Sequence, residues 1–213
     1  MSGSCRIENP VLFICDIQEK FRSAIWEYEK VISTTQKLVK AATILKMPIF
    51  VTTQNAARLG PTVSEIESML PKSGAGGAPA PRTVDKTLFS MMVPELVSQL
   101  PTTPATSPAT PSRLSVILVG IETHICVTQT TLDLLRLGHK VYLVADGVSS
   151  CNELERPIAL RRLAREGAVV TTSEGLLFEL LGDAKSENFR AVSGLVKDTK
   201  DRTRDAVATL GKL

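Results

Sequence analysis

Five short runs, VLFICDI (11–17), PIFVTT (48–53), SVILVGI (115–121), KVYLVADGV (140–148) and AVVTTSE (168–174), are β-branched and apolar with little alternation. A strand with one wet face alternates apolar and polar residues, because successive side chains point to opposite faces. A run that is apolar throughout has to be covered on both. Helices supply that cover, and the segments between the runs have a helical period. In YEKVISTTQKLVKAATILK (28–46), Val31, Leu38, Ala42 and Leu45 fall on one stripe, which the Met47-Pro48 step ends. THICVTQTTLDLLRLG (123–138) opens on a threonine cap, Thr123, and stops at Gly138; LERPIALRRLAREG (154–167) stops at Gly167. The order predicts an α/β fold of three layers, α/β/α, around a doubly wound, mainly parallel, Rossmann-like sheet. At 213 residues one such domain accounts for the chain.

Two stretches interrupt this rhythm. PKSGAGGAPAPR (71–82) is predicted as a loop. PTTPATSPATPSR (101–113), after a short helix near 93–100, is predicted as an exposed insertion. Twenty-five basic against 22 acidic residues leave a net charge of +3 with no block of one sign, which argues against nucleic acid as a partner. The apolar runs are too short to span a bilayer, and MSGSCRIENP lacks the apolar stretch of a leader peptide. Cysteines 5, 15, 126 and 151 have no metal-binding or disulfide spacing and read as reduced thiols, so a cytoplasmic chain is expected. The last residues, Gly-Lys-Leu, are one residue from a peroxisomal Ser-Lys-Leu, which leaves that compartment, like the mitochondrion, open.

Ligands of open parallel sheets bind beyond the carboxyl ends of the strands, where the strand order reverses. Asp16 closes the first run, Lys86 sits in VDKTLFS, and Cys126 follows the run ending at Ile121. Each has two readings. Cys126 in a first helical turn is either a small apolar filler or a nucleophile whose thiolate the helix N-terminus stabilises. Asp16 is a turn cap or a buried proton relay. Lys86 is a solvated surface lysine or a fixed cation beside the other two. Gln54 ends the second run and can bond an amide or carboxylate substrate. Trp26 walls a pocket or simply packs. Cys15 points to the opposite side of its strand from Asp16, into the core. His139 reads as a solvated turn residue, Asp146 as a cap, and Cys151 as a thiol without a chemical role.

LFICDIQEKFR, RLGPTVSEI, DKTLFSM and GIETHICVTQTTLDLL, followed by VYLVADGVSS and TTSEGLLFEL, resemble in sequence and order the isochorismatase-like hydrolases, and among them the isochorismatase domain-containing subgroup. The resemblance covers roughly residues 9–185 of a single domain, with 186–213 as a C-terminal extension. It implies Asp16 as acid/base, Lys86 as orienting cation and Cys126 as nucleophile. It also implies a cis peptide at Ile121-Glu122, with an oxyanion site in the amides that follow. Gln54, Trp26, Ile121, Glu122 and His124 would surround a small amide-like substrate that passes through a thioacyl intermediate. A homodimer or larger homo-oligomer is implied as well. Nicotinamidases of this family carry an Asp-x-His metal site after the second strand. Here that stretch, VTTQNAARLGPT, contains no histidine, so neither a metal nor another cofactor is expected. A ribonuclease and a catalytically silent binding protein of the same fold are the alternatives.

Overall fold

Six strands, one more than the apolar runs suggest, form a single sheet in which every pairing is parallel: β1 (Pro10–Cys15), β2 (Ile49–Gln54), β3 (Arg82–Lys86), β4 (Ser115–Ile121), β5 (Lys140–Ser149) and β6 (Val169–Thr171). The computed structural model describes residues 7–71, 79–101 and 113–213. The stretches expected as loops at 71–82 and 101–113 lie largely outside these residues, as does Cys5. The strand order is β3-β2-β1-β4-β5-β6, so the chain winds outward in one direction from β1 and then in the other from β4. The switch point, where this topology opens a crevice, lies between β1 and β4.

The helices are α1 (Tyr28–Ile44), α2 (Ala56–Leu59), α3 (Ser64–Glu67), α4 (Pro94–Val97), α5 (Thr128–Arg136), α6 (Glu155–Arg165), α7 (Ser173–Leu181) and α8 (Phe189–Leu210). Two apolar clusters explain why the central strands are apolar throughout. Leu12 and Ile14 of β1, with Ile117 and Val119 of β4, pack under α1, α7 and α8. Val11, Phe13 and Cys15, with Val116 and Leu118, pack under α5 and α6. Apart from Pro10, each side chain of these two strands therefore has a dry destination, the condition that the lack of alternation implied.

Lys86, outside the five apolar runs, ends β3, an edge strand bonded to β2 alone, in which exposed and buried residues alternate from Thr83 to Lys86. A short polar edge strand carries little of the apolar signal by which strands are read. The run expected to 174 pairs only over Val169–Thr171, because Thr172 caps α7 and its side chain accepts from the Gly175 amide. Thr123 is not the cap of the helix carrying Cys126. It lies inside a π-helical turn, Thr123–Val127, that precedes α5, with Glu122 at the cap position. The segment after 185 becomes α8, which buries Val192, Leu195 and Leu210 in the cluster shared with α1 and α7.

Candidate active site

Asp16, Gln54 and Lys86 come one each from the carboxyl ends of β1, β2 and β3, and Cys126 from the turn after β4. The parallel register makes this possible by aligning strand ends: Cys15 pairs with Thr52, and Gln54 with Lys86. Two strand spacings, about 10 Å, separate β1 from β3. The long lysine side chain bridges them.

Lys86 Nζ donates to Asp16 Oδ2 at 2.7 Å and to Gln54 Oε1 at 2.7 Å. It also donates to the Phe89 and Leu88 carbonyls, at 3.0 and 3.1 Å. Asp16 and Lys86 are both buried. A buried ion pair holds only when the remaining polar atoms are satisfied as well. Here Asp16 Oδ1 accepts from the Thr52 hydroxyl at 2.8 Å, and Gln54 and the two carbonyls share the other two ammonium protons. Asp16 adopts a left-handed backbone, φ 53°, an unfavourable state for a non-glycine residue that aspartate tolerates better than most. It ends the strand's run while its own amide still bonds to the Thr52 carbonyl.

Cys15 links this ion pair to Cys126. Its thiol lies 3.5 Å from Asp16 Oδ2, as donor, and it shares a core cluster with Cys126. The expectation that Cys15 faces the core holds: it is fully buried, in the cluster that also contains Cys126. Burial pushes the Cys15 thiol well up, the bond to Cys126 and the Asp16 charge add to this, and Lys86 opposes it. Cys15 stays a protonated thiol. Cys126, by contrast, shows 7% of its surface and lies in the helical turn Thr123–Val127 rather than within a strand.

The Ile121-Glu122 peptide is cis, as the resemblance implies. In the turn that follows, the Ile125 and Val127 amides both donate to the Glu122 carbonyl at 3.1 Å. The loop after β5 is stitched to this segment: the Cys151 amide donates to Glu122 Oε2 at 2.8 Å, and Ser150 Oγ meets His124 Nδ1 at 3.0 Å. On its other side the loop holds Trp26, whose amide donates to the Ser150 carbonyl at 3.0 Å. Trp26 itself lines a groove with Leu154, Pro157, Ile158 and Leu213, beside α6 rather than beside the Asp16–Lys86 pair. Gln54 is committed at both ends of its amide, to Lys86 and, through Nε2, to the Thr87 carbonyl at 2.8 Å. Its contacts make it a holder of Lys86.

The sequence reading missed Gln18. Fully buried, it accepts from the Gln54 amide and donates to the Gly60 and Gln54 carbonyls, at 2.7 and 3.2 Å, which locks the end of β2 to the segment after β1. A buried glutamine two residues after a strand-ending aspartate has no periodic signature. Asp146, at the β5 bulge, caps α7 from below: its carboxylate accepts from the Ser173 amide at 2.7 Å and from the Ser173 hydroxyl. His139 is half-buried, not a solvated turn residue. Its Nδ1 accepts from the Leu114 amide at 3.2 Å, and burial lowers its proton affinity.

Comparison with known proteins places the chain and its fold among known relatives. The family described as Isochorismatase domain matches residues 10–175. A secreted isochorismatase effector, Isc1, of Phytophthora sojae is 44% identical over 188 residues, 88% of this chain and 84% of that protein. Isochorismatase domain-containing protein 2 of Xenopus laevis is 40% identical over 196 residues, 92% of this chain and 87% of that one. The structure of the MAR1 ribonuclease from Caenorhabditis elegans superposes with a TM-score of 0.78 at 38% identity, covering 89% of this chain and 90% of that chain. With a family match across most of its length, and relatives at this identity over nearly all of it, the chain belongs to the isochorismatase family.

Proposed function

We propose that the protein is a cysteine hydrolase of a small amide-like substrate. Membership of a family of hydrolases supports the reaction class. The observation that carries the finer reading is the buried Lys86–Asp16 pair at the switch point of the sheet, with Cys15 on Asp16 and in the same core cluster as Cys126. In this reading Asp16 takes the proton of the Cys126 thiol, with Lys86 holding the charges of the site in balance. The thiolate attacks the acyl carbon, and the tetrahedral oxyanion meets amides of the Thr123–Val127 turn. With the Ile125 and Val127 amides spent on Glu122, the donors are the remaining amides of that turn. The C–N bond breaks as Asp16 returns the proton to the leaving nitrogen. Water, its proton taken by Asp16, then cleaves the thioester and frees the thiol. Gln54 positions Lys86, while Glu122 precedes the nucleophile's turn and His124 lies within it.

A ribonuclease reading has one argument in its favour, the description of the nematode relative. General acid/base cleavage of RNA by paired histidines is a poor fit to this chain. His124 follows β4 at the carboxyl end of the sheet, and His139 precedes β5 at the opposite end. The two readings separate in one assay of the wild type and Cys126→Ser on amides, ureides and a short RNA. Amide turnover is expected to fall by about a thousandfold or more in the variant. RNA cleavage that ignores the substitution would instead support the ribonuclease, and inactivity on every substrate a binding protein.

We also propose a homodimer or larger assembly, with a reducing compartment such as the cytoplasm as the place of action, consistent with three free thiols among the described residues. Among the described residues no helix is long and apolar enough to cross a membrane.

A further inference from the structure

Glu122, His124 and Cys151 converge beyond the ends of β4 and β5, and the reaction proposed above uses none of them as acid, base or nucleophile. The pairing of Ile121 with Ser149 sets the segment 122–124 alongside residues 150–151. One ligand atom from each of the three side chains lies within 4.8 Å of the other two, and His124 Nδ1 is 4.0 Å from Glu122 Oε2. Cys151 is exposed, whereas Glu122 and His124 are half-buried, so the cluster opens outward on its sulfur side.

We propose that Glu122, His124 and Cys151 form a binding site for a thiophilic divalent cation, Zn²⁺ first among them. The donor set is what such an ion takes: one thiolate, one imidazole nitrogen and one carboxylate oxygen, leaving a fourth tetrahedral position for water or an incoming ligand. Magnesium and calcium, which prefer oxygen donors, are poorly served by it. Bonds of about 2.0–2.3 Å to a tetrahedral ion bring donor atoms to roughly 3.3–3.8 Å of one another. The cluster therefore has to close by about 1 Å, a movement available to the exposed Cys151 side chain. As the metal–sulfur bond forms, the thiol proton leaves to water. The Cys151 amide, already on Glu122 Oε2, is placed to orient that carboxylate, and Ser150 Oγ gives up its bond to His124 Nδ1 when that nitrogen takes the ion. An ion bound here ties the turn that carries Cys126 to the loop after β5.

The site is not the Asp-x-His position that nicotinamidases use after the second strand, and it does not depend on the hydrolase reading. The test is titration of the reduced, full-length protein with Co²⁺ followed by absorption, and with Zn²⁺ by calorimetry. One equivalent of Co²⁺ is expected, with a thiolate-to-cobalt charge-transfer band that Zn²⁺ abolishes. Cys151→Ser is expected to remove the band and to weaken Zn²⁺ binding by about tenfold or more, and His124→Ala to weaken it comparably. Cys126→Ser is expected to keep both band and affinity, which separates this site from the proposed nucleophile. A wild type that binds no stoichiometric Co²⁺, a band that persists in Cys151→Ser, or a band lost in Cys126→Ser would each overturn the assignment. Circular dichroism of each variant establishes that the comparison is between folded proteins.

Discussion

Three cysteines of one chain, in three settings, make the residue-scale case. Cys15 is fully buried and its thiol is pushed well up by burial and by Cys126. Cys151 is exposed, but the hydrogen bond to Glu122 pushes its thiol up too. Cys126 shows 7% of its surface and lies in the turn that leads into α5, where free backbone amides favour a thiolate. Iodoacetamide at neutral pH is therefore expected to label Cys126 first. Cys151 should follow only as the pH rises past the ordinary thiol range, because a raised pKa delays formation of its thiolate. Cys15 should remain unlabelled while the protein is folded. Lys86→Met is expected to slow Cys126 labelling. It should also cost about 3 kcal/mol of stability, since it strands the Asp16 carboxylate without its cation. Mass-spectrometric peptide mapping reads the first effect and denaturant titration the second. Equal labelling of Cys126 and Cys151 at neutral pH would remove the main support for Cys126 as nucleophile.

At the scale of elements, the site depends on how closely β1 and β4 meet. Gly120 pairs with Cys15 and has φ 118°, and a Cβ built on it would fall 2.1 Å from the Cys15 carbonyl oxygen. No side chain fits there, and the backbone conformation is itself a glycine one. Gly120→Ala is expected to destabilise the fold by more than about 1 kcal/mol and to displace the end of β1, with it Asp16. Activity should then fall further than thermal stability alone accounts for. Wild-type turnover in a folded Gly120→Ala protein would show that the strand ends tolerate the shift. β5 answers a related constraint differently. Between the pairs Leu118–Leu143 and Gly120–Val148 it advances five residues while β4 advances two, and the bulge carries Asp146 to the start of α7.

For the whole molecule, α8 closes one face of the sheet and is pinned at its end by Arg156. That guanidinium, pulled down to about 10 by burial, donates to the carbonyls of Leu210, Lys212, Ala145 and Val148. Midway along, Lys37 of α1 is buried against α8 and donates to Thr203 Oγ1 at 2.8 Å. Burial lowers its pKa from 10.5. A lysine with a folded pKa below its unfolded one costs stability at every pH under the folded value. The cost fades as the pH rises from there towards 10.5. Lys37→Met is accordingly expected to raise stability at neutral pH and to show a shrinking advantage in alkaline buffer, as melts across that range would reveal. A loss of stability at neutral pH would mean that the Thr203 bond outweighs the desolvation. Self-association is the other property of this scale. Light scattering at micromolar concentration should report at least two chains, and a monomer would count against the proposed assembly.

Layering, parallel strands and the central helices were legible in the sequence because they follow from local apolar periodicity. An unalternating run such as SVILVGI needs cover on both faces wherever it is placed. Asp16 and Cys126 were legible as candidates for the same reason, since each follows such a run directly. Motif order supplied Lys86, whose strand is too short and polar to announce itself. What the tertiary structure alone decided are encounters between distant segments. Lys86 reaches Asp16 across β2, Gln18 locks the end of β2, and Cys15 and Cys126 share one core cluster. Glu122 and His124 meet Cys151 because β4 pairs with β5. Periodicity along a chain reports which side of a strand or helix is dry. It carries nothing about which neighbours a strand order and a register will place at its end.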